Sequence, residues 1–529
     1  MYKPPEETGV IVVGGSLVGL SAAVFLSFYR VPFVVLERHS GSSLHPRAIG
    51  FTARTMELFR QCGFDDKFPE VSKSFTLRRV RVESLAGKWF EEINWTERDS
   101  PKEAPTTAPP KIEYSPRQGA GIAQDTMEEI LRQQATACGA DLRYKHKVTR
   151  VAQDTDGVTV TVAKDDGAEY LLRGSYMLAA DGSRSSIREG LGIKRSGRGS
   201  IQVARSVLFR ASLDEYLQKG VSQFNIDQSD LKAFLTTYSD GRWVLIFIDD
   251  IERNEDELKA AIHQAVGRMD IDIELITTGR WEMTALVANQ FQADRIFLAG
   301  DAAHALPPNR GGYGANTGIA DVHNLAWKLK AVLSGQSKPE LLETYDDERR
   351  PVALLRHDQI FVRSDYKAHL VSPSGETDVI DDDAMEFGQL YRSQSILGAG
   401  KDLPKARRPD EWAGQPGSRA PHFWVRQQGK TISTLDLFED KWSLLFQNEE
   451  WKHAALQLNA SFPITIRQVQ MGIDVGLSES DTFTKAFGIS SSGASLVRPD
   501  GYIAWRSVDL PSTPGDVLRD ALAHAAFLV

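Results

Sequence analysis

Cysteine is nearly absent: the 529 residues hold two, Cys62 and Cys138, and no CxxC pair. That excludes a disulfide framework and a thiolate zinc site, and a reducing cytosol is the expected location. Long hydrophobic runs are missing too. The most apolar segments, around residues 10–26 and 296–306, are too short or too glycine-rich to span a bilayer. The N-terminal MYKPPEETG is short and polar, and no signal peptide is expected there. Positive charge is not in excess: 62 basic against 71 acidic residues leave a net charge of −9. A nucleic acid is therefore not the expected partner, and with no spanning segment neither is a membrane. Histidines are scattered, no cluster has metal-ligand spacing, and no metal is expected.

What is present is an ordinary globular composition, with 41% hydrophobic and 25% charged residues. The length exceeds what one hydrophobic core supports, so two to four units are expected at roughly 100–200 residues each. Val10-Ile11-Val12-Val13 reads as a buried strand, and apolar residues from Leu17 to Leu26 recur at helical spacing. Between them stand Gly14-Gly15-Ser16-Leu17-Val18-Gly19. A strand, G-x-G-x-x-G and a helix form a dinucleotide fingerprint, with the helix N-terminus facing the pyrophosphate. Here Ser16 replaces the middle glycine, and by itself the pattern also fits any tight strand–helix turn. A second apolar strand, Val31 to Leu36, ends in Glu37-Arg38. An acid about 20 residues beyond the glycines suits a ribose hydroxyl and favours an adenine dinucleotide.

A second constellation lies in DRIFLAGDAAHALPPNRGGYGANTGIADVHNLAWKLKAVL, residues 294–333. Arg295 to Ala299 is an apolar strand ended by Gly300-Asp301. Pro307 and Pro308 make a rigid loop, and Gly311, Gly312 and Gly314 keep it open to a ligand. Helical periodicity starts at Thr317 and runs to Leu333. A third stretch, Met177-Leu178-Ala179-Ala180-Asp181-Gly182-Ser183-Arg184-Ser185-Ser186-Ile187-Arg188, places Asp-Gly after another apolar strand.

These three motifs, in this order, resemble the class A FAD-dependent aromatic monooxygenases. The likeness extends through His45-Pro46-Arg47-Ala48, Gln124 at the head of a helical run, and Tyr345 to Pro351. It is nearest to the polyketide hydroxylase subgroup similar to aklavinone hydroxylase, because of Pro416 to His422 and Leu496-Val497-Arg498-Pro499-Asp500-Gly501. The resemblance implies an α/β fold: a Rossmann-like FAD-binding domain, an inserted β-sheet substrate domain and a C-terminal thioredoxin-like domain. Residues 1–75, 113–195 and 286–400 would form the FAD-binding domain with its helical extension. Residues 76–112 and 196–285 would form the substrate domain. Residues 401–412 read as a linker, and 413–529 as the thioredoxin-like domain without redox cysteines. Within 76–112, ERDSPKEAPTTAPP reads as a surface loop.

The resemblance also implies the site. FAD contacts are expected at Gly14, Gly15, Ser16, Val18, Gly19, Glu37 and Arg38 on the adenosine side. FAD contacts are also expected at Arg47, Gln124, Asp181, Asp301, Pro308, Gly311, Gly312, Gly314, Ala315 and Asn316, with Arg47 at the flavin, Asp301 on its ribitol and Asp181 linked to both FAD and NADPH handling. The resemblance further implies a cycle in which NADPH or NADH would reduce FAD, a flavin C4a-hydroperoxide would form with O₂, and a small phenolic or polyketide-like ring would be hydroxylated. Catalytic candidates are Arg47 as a positive charge near the phenolate, Tyr238 as donor or base, and Lys367 against an anionic substrate. Each has a blander alternative: a cofactor or surface arginine, a core tyrosine, a solvated lysine. Phe224 and Trp243 would stack on a planar substrate or pack in the core, and a lone His304 is more often packed than catalytic. The subgroup's tyrosine base would fall near Gln223-Phe224-Asn225, where no tyrosine stands. Two other outcomes stay open: a Baeyer–Villiger or epoxidising enzyme on the same fold, and a flavin-binding protein or dehydrogenase without oxygenase activity. A monomer or homodimer is expected.

Overall fold

A computed structural model describes residues 4–72, 77–94, 112–363, 365–366 and 378–528. Lys367 and the proline-rich stretch 97–110 lie outside the described residues.

The first sheet is built on strand β1 (Glu6–Val13), whose Val10 to Val13 are at most 8% exposed. A continuous β-branched run suits a strand covered on both faces, as in parallel sheets. β1 pairs in parallel with Phe33–Glu37 on one side and Glu169–Ala179 on the other. Asp141–Tyr144 and Ile296–Leu298 extend the parallel set outward, and the hairpin His146–Gln153/Val158–Lys164 joins it through Glu169–Ala179. Helix α1 (Leu17–Phe28) packs against helices Gln124–Ala137 and Tyr313–Leu333. This is a Rossmann-like α/β layer, with the strand ends at Val13, Glu37, Ala179 and Leu298 gathered at one edge. Open parallel sheets bind ligands outside the carboxyl ends of their strands.

The second sheet is inserted between segments of the first. Its eight strands run His304–Ala305, Glu274–Ala288, Arg195–Arg210, Arg242–Phe247, Lys232–Thr237, Gln223–Asp227, Arg79–Val82 and Trp89–Glu92. Helix Glu255–Val266 covers one face, started by an Asn254/Glu257 capping box and ended by Gly267 at φ +80°. Phe224 and Trp243, both 0% exposed, point to that helix and pack with Val207, Leu245, Leu258 and Ile262. Of the two expected placements, stacking on a planar ligand or packing in the core, they take the core one. Strand side chains alternate, so the residues one step away line the opposite face. Ala204, Leu208, Val244 and Ile246 lie there, with Phe234, Trp281, Met283 and, from the first domain, Ile49.

The C-terminal unit has a four-stranded sheet in the order Arg467–Gln470, Ser443–Phe446, Ala494–Val497, Ile503–Ser507. The first pair is parallel and the other two antiparallel. Helices Glu450–Asn459 and Pro514–Ala525 pack on each other. The unit docks through the Arg60–Asp436 pair (2.7 and 2.9 Å) and an edge-to-face contact of Trp327 with Trp442. Within residues 401–412, expected as a linker, two side chains are buried, Ala406 and Trp412. Ala406 bridges to Gln389, and the buried Trp412 donates its indole N–H to the Gly388 carbonyl at 2.7 Å.

Candidate active site

The turn after β1 has no room for side chains. Gly14 sits at φ +107°, and a Cβ there would lie 2.2 Å from the Ala180 oxygen. A Cβ on Gly19 would lie 1.7 Å from the Gly14 oxygen, so the third glycine lets α1 close onto the turn. Gly15 N–H donates to Glu37 Oε2 at 2.7 Å, and the other carboxylate oxygen accepts from His39 N–H, also at 2.7 Å. Glu37 therefore stands beside the glycine turn, while Arg38 is exposed.

Ser16 has a structural reason to replace glycine. It is the N-cap of α1, and its hydroxyl donates to Glu128 Oε1 at 2.5 Å. The same oxygen accepts Leu17 N–H (3.1 Å) and the Gln124 amide (2.8 Å). A carboxylate at a helix N-terminus is favoured by the free amides and the helix dipole. Glu128 was not singled out from the sequence. Its signal is the i, i+4 spacing from Gln124, which puts both on one helix face. The Gln124 carbonyl accepts the amides of Arg47 (3.4 Å) and Ala48 (3.3 Å).

Asp181 accepts Ile187 N–H at 3.4 Å through one oxygen. Its other oxygen is buried with no hydrogen-bond partner. Such an atom is costly unless a ligand satisfies it. The Gly300-Asp301 turn is set by a residue missed in the sequence, Asp321 on the long helix. Its carboxylate accepts Gly300 N–H (3.2 Å) and bonds His304 Nε2 (2.7 Å) and Arg349 Nε (2.8 Å). His304, fully buried, is thereby a packed residue. Val18 fills the notch between this turn and the long helix: Cβ atoms on Gly300 or Gly318 would lie within 2.8 Å of it. Asp301 keeps 42% of its side chain exposed and meets Arg47 Nη1 at 3.6 Å.

The glycine loop differs from expectation. The helix starts at Tyr313, not Thr317, with Gly312 as its N-cap at φ +60°. Gly314, Ala315 and Asn316 thus form the first helical turn. The Asn316 side chain is wholly engaged, accepting from Thr52 N–H (3.0 Å) and Thr55 Oγ1 (2.6 Å) and donating to the Gly312 carbonyl (2.8 Å). Pro308 accepts the Tyr366 hydroxyl at 2.6 Å, and Gly311 lies against the Tyr313 ring.

Of the catalytic candidates, Arg47 stands at this edge with its side chain 66% exposed. Tyr238 is buried, and its hydroxyl donates to the Pro46 carbonyl at 2.6 Å. Burial also pushes its phenol well above the usual tyrosine range. As placed, it is a donor to backbone and not a base.

Beside the glycine helix lies a small cavity of about 20 Å³, lined by Arg54, Asn316, Arg356, Glu386 and Tyr502 among others. Burial pushes the Glu386 carboxyl up to about 7, with Glu57 adding repulsion, although Arg54 N–H bonds it at 2.8 Å. A carboxyl raised in the folded state binds its proton more tightly there than when unfolded. Its penalty is absent below the ordinary carboxylate range and complete above about 7. The stability gain of Glu386→Gln over the natural protein should therefore grow from pH 5 to pH 8, by about 3 kcal/mol at most. Melting curves across that range check it, and a gap independent of pH would refute it.

Residues 7–358 match the family described as FAD binding domain, and residues 413–526 match that described as aromatic-ring hydroxylase, C-terminal. The chain belongs to the FAD-dependent aromatic monooxygenases. The monooxygenase is 36% identical over 553 residues to a 4-methyl-5-nitrocatechol 5-monooxygenase from a Burkholderia species, covering 99% of this chain and 98% of that one. It is 36% identical over 541 residues to a tetracenomycin B2 monooxygenase-dioxygenase from Streptomyces olivaceus, covering 98% of each. It superposes on a ternary complex of aklavinone-11 hydroxylase with FAD and aklavinone with a TM-score of 0.86, at 32% identity, over 99% of this chain and all of that one. It is thus related to the polyketide hydroxylases as well as to a nitrocatechol enzyme. The glycine turn that a Cβ would fill and the unpartnered Asp181 oxygen both fit FAD. Among the described residues no helix is long and apolar enough to cross a membrane.

Proposed function

We propose that this monooxygenase hydroxylates a phenolic or polyketide-type aromatic ring. One Ar–H, one O₂, one NADPH or NADH and one proton would be consumed, giving Ar–OH, water and the oxidised nicotinamide. One observation carries the reading: an apolar sheet face and the glycine–aspartate cradle meet over the same short segment, residues 45–49. The cradle suits a dinucleotide, and the apolar face suits a planar ring.

Gly14, Gly15, Ser16, Gly19 and Glu37 would hold the adenosine and pyrophosphate end of FAD. Arg47, Asp181, Asp301 and the turn Gly311–Asn316 would hold the flavin end. When bound, FAD supplies electron transfer from the nicotinamide and activation of O₂. The chain's own residues do the rest. Phe234, Ile246, Trp281 and Met283 exclude water and orient the ring. Arg47, a partly exposed cation beside Asp301, favours the phenolate form. The C-terminal unit is read as thioredoxin-like, which its strand order and two packed helices support. It contains no cysteine, so its role is docking and not redox exchange.

The test is NADPH and NADH oxidation by the purified holoprotein under air, with nitrocatechols and polycyclic phenols offered in turn. The expected result is a flavin spectrum, acceleration by one phenol class, little peroxide release and a product bearing one new ring hydroxyl. NMR of that product distinguishes a lactone or epoxide. Flavin-bound protein that no phenol accelerates would refute the hydroxylase reading.

A further inference from the structure

The segment His45–Ala48 has no regular secondary structure, yet it carries Arg47 to the edge where Asp301 lies. Its placement comes from two supports. From the first domain, Gln124 accepts Arg47 N–H and Ala48 N–H, and its own N–H donates to the Ala48 carbonyl at 2.9 Å. From the inserted sheet, Tyr238 Oη donates to the Pro46 carbonyl at 2.6 Å, and Ser206 Oγ bonds His45 Nε2 at 2.8 Å. The two supports are joined. Arg242 clamps Asp125, next to Gln124, through two hydrogen bonds of 2.6 and 3.1 Å. The same guanidinium lies 5.3 Å over the Tyr238 ring.

Arg47 does little to hold itself. Its side chain makes one loose ion pair, at 3.6 Å, and is mostly exposed. A long exposed arginine in such a pair gains little and keeps much of its rotamer freedom. Where its charge sits is therefore decided by its backbone, one residue from the carbonyl that Tyr238 grips.

We propose that Tyr238 is a positioning residue: its hydroxyl, backed by the Arg242–Asp125 clamp, holds the Pro46 carbonyl and thereby sets Arg47 against the Asp301 edge of the cofactor cradle. This rests on the reading that Arg47 serves bound FAD. A hydroxyl that donates to a carbonyl needs its proton, so the role differs from that of a base. Ser206 is a secondary anchor on the same segment.

The test uses Tyr238→Phe, Arg47→Ala and the double variant. Phenylalanine keeps the ring and removes only the hydroxyl. The dissociation constant of FAD is read from flavin fluorescence, and peroxide released per NADPH is read during turnover. Loss of one neutral hydrogen bond predicts about a 5–10-fold weaker FAD in Tyr238→Phe, with more peroxide and an unchanged shape of the kcat pH profile. In the Arg47→Ala background, Tyr238→Phe should change FAD affinity less than about 2-fold, because the residue acts through Arg47. Multiplying effects in the double variant would overturn the proposal and leave Tyr238 a packing residue. Loss of a limb of the pH profile would overturn it in favour of a base, and unchanged FAD binding in Tyr238→Phe would also refute it. If the natural protein binds no FAD at all, the functional reading fails first, and the two failures are told apart.

Discussion

Replacing Arg498 with methionine should lower the unfolding temperature by about 5–10 °C and loosen the C-terminal unit. Arg498 is 0% exposed and carries a fork of hydrogen bonds. It grips both oxygens of Glu348, at 2.6 and 2.9 Å, and both oxygens of Asp500, one at 3.0 Å. Lys328 Nζ (2.9 Å), Asn324 Nδ2 (2.7 Å) and Ser393 Oγ (2.7 Å) complete the shell of Glu348. Two cations and two carboxylates cancel, so the intact cluster is neutral and well bonded. Without Arg498, two buried carboxylates face one ammonium. Removing one partner of a buried pair costs about 3–5 kcal/mol, because the other charge stays uncompensated. Arg498→Lys keeps the charge but loses the fork, and should fall between. Differential scanning of both variants checks this. A methionine variant that melts with the natural protein would show that the cluster contributes nothing to docking.

Gly19→Ala should abolish stable FAD binding, raising the dissociation constant by at least ~100-fold, about 2.7 kcal/mol. The new Cβ would stand 1.7 Å from the Gly14 carbonyl oxygen, backbone against the start of a helix, and neither side is flexible. α1 must therefore back away from the turn, and its N-terminal amides move with it. Gly41→Ala is the control, since a Cβ there meets nothing within 4 Å and no positive φ is required. The measurement is FAD titration of soluble protein, with circular dichroism as the check on folding. A well-folded Gly19→Ala protein that keeps its flavin would refute the cradle. A variant that loses flavin while its C-terminal unit still melts normally would support it.

The cradle was legible because its cause is local. Gly14 and Gly19 are forced by a turn of six residues, and Glu37 follows at the length of one helix and one strand. Ser16 was not interpretable alone, because its partner Glu128 is 112 residues away. The helix start at Tyr313 was hidden by GGYGAN, which reads as loop on propensity. Tertiary contacts override it: Tyr313 is buried, with Arg356 5.3 Å over its ring, and Asn316 is clamped to Thr52 and Thr55. Asp321, Asn324 and Lys328 recur on one face of that helix at spacings of three and four. Charges at core spacing were the available signal, yet charge normally marks the solvent side.

The sequence by itself determined the strand–turn–helix chemistry, the order of the three motifs and the family they resemble, since each depends on neighbours a few residues apart. Only the tertiary structure decided which face of the inserted sheet meets the segment carrying Arg47 to Asp301, that Tyr238 grips a backbone carbonyl, and that Arg498 is neutralised in the core. A strand's alternation defines two faces but not which one a helix will cover. A buried charge is tolerable only when partners from distant segments arrive together, and no local pattern records their arrival.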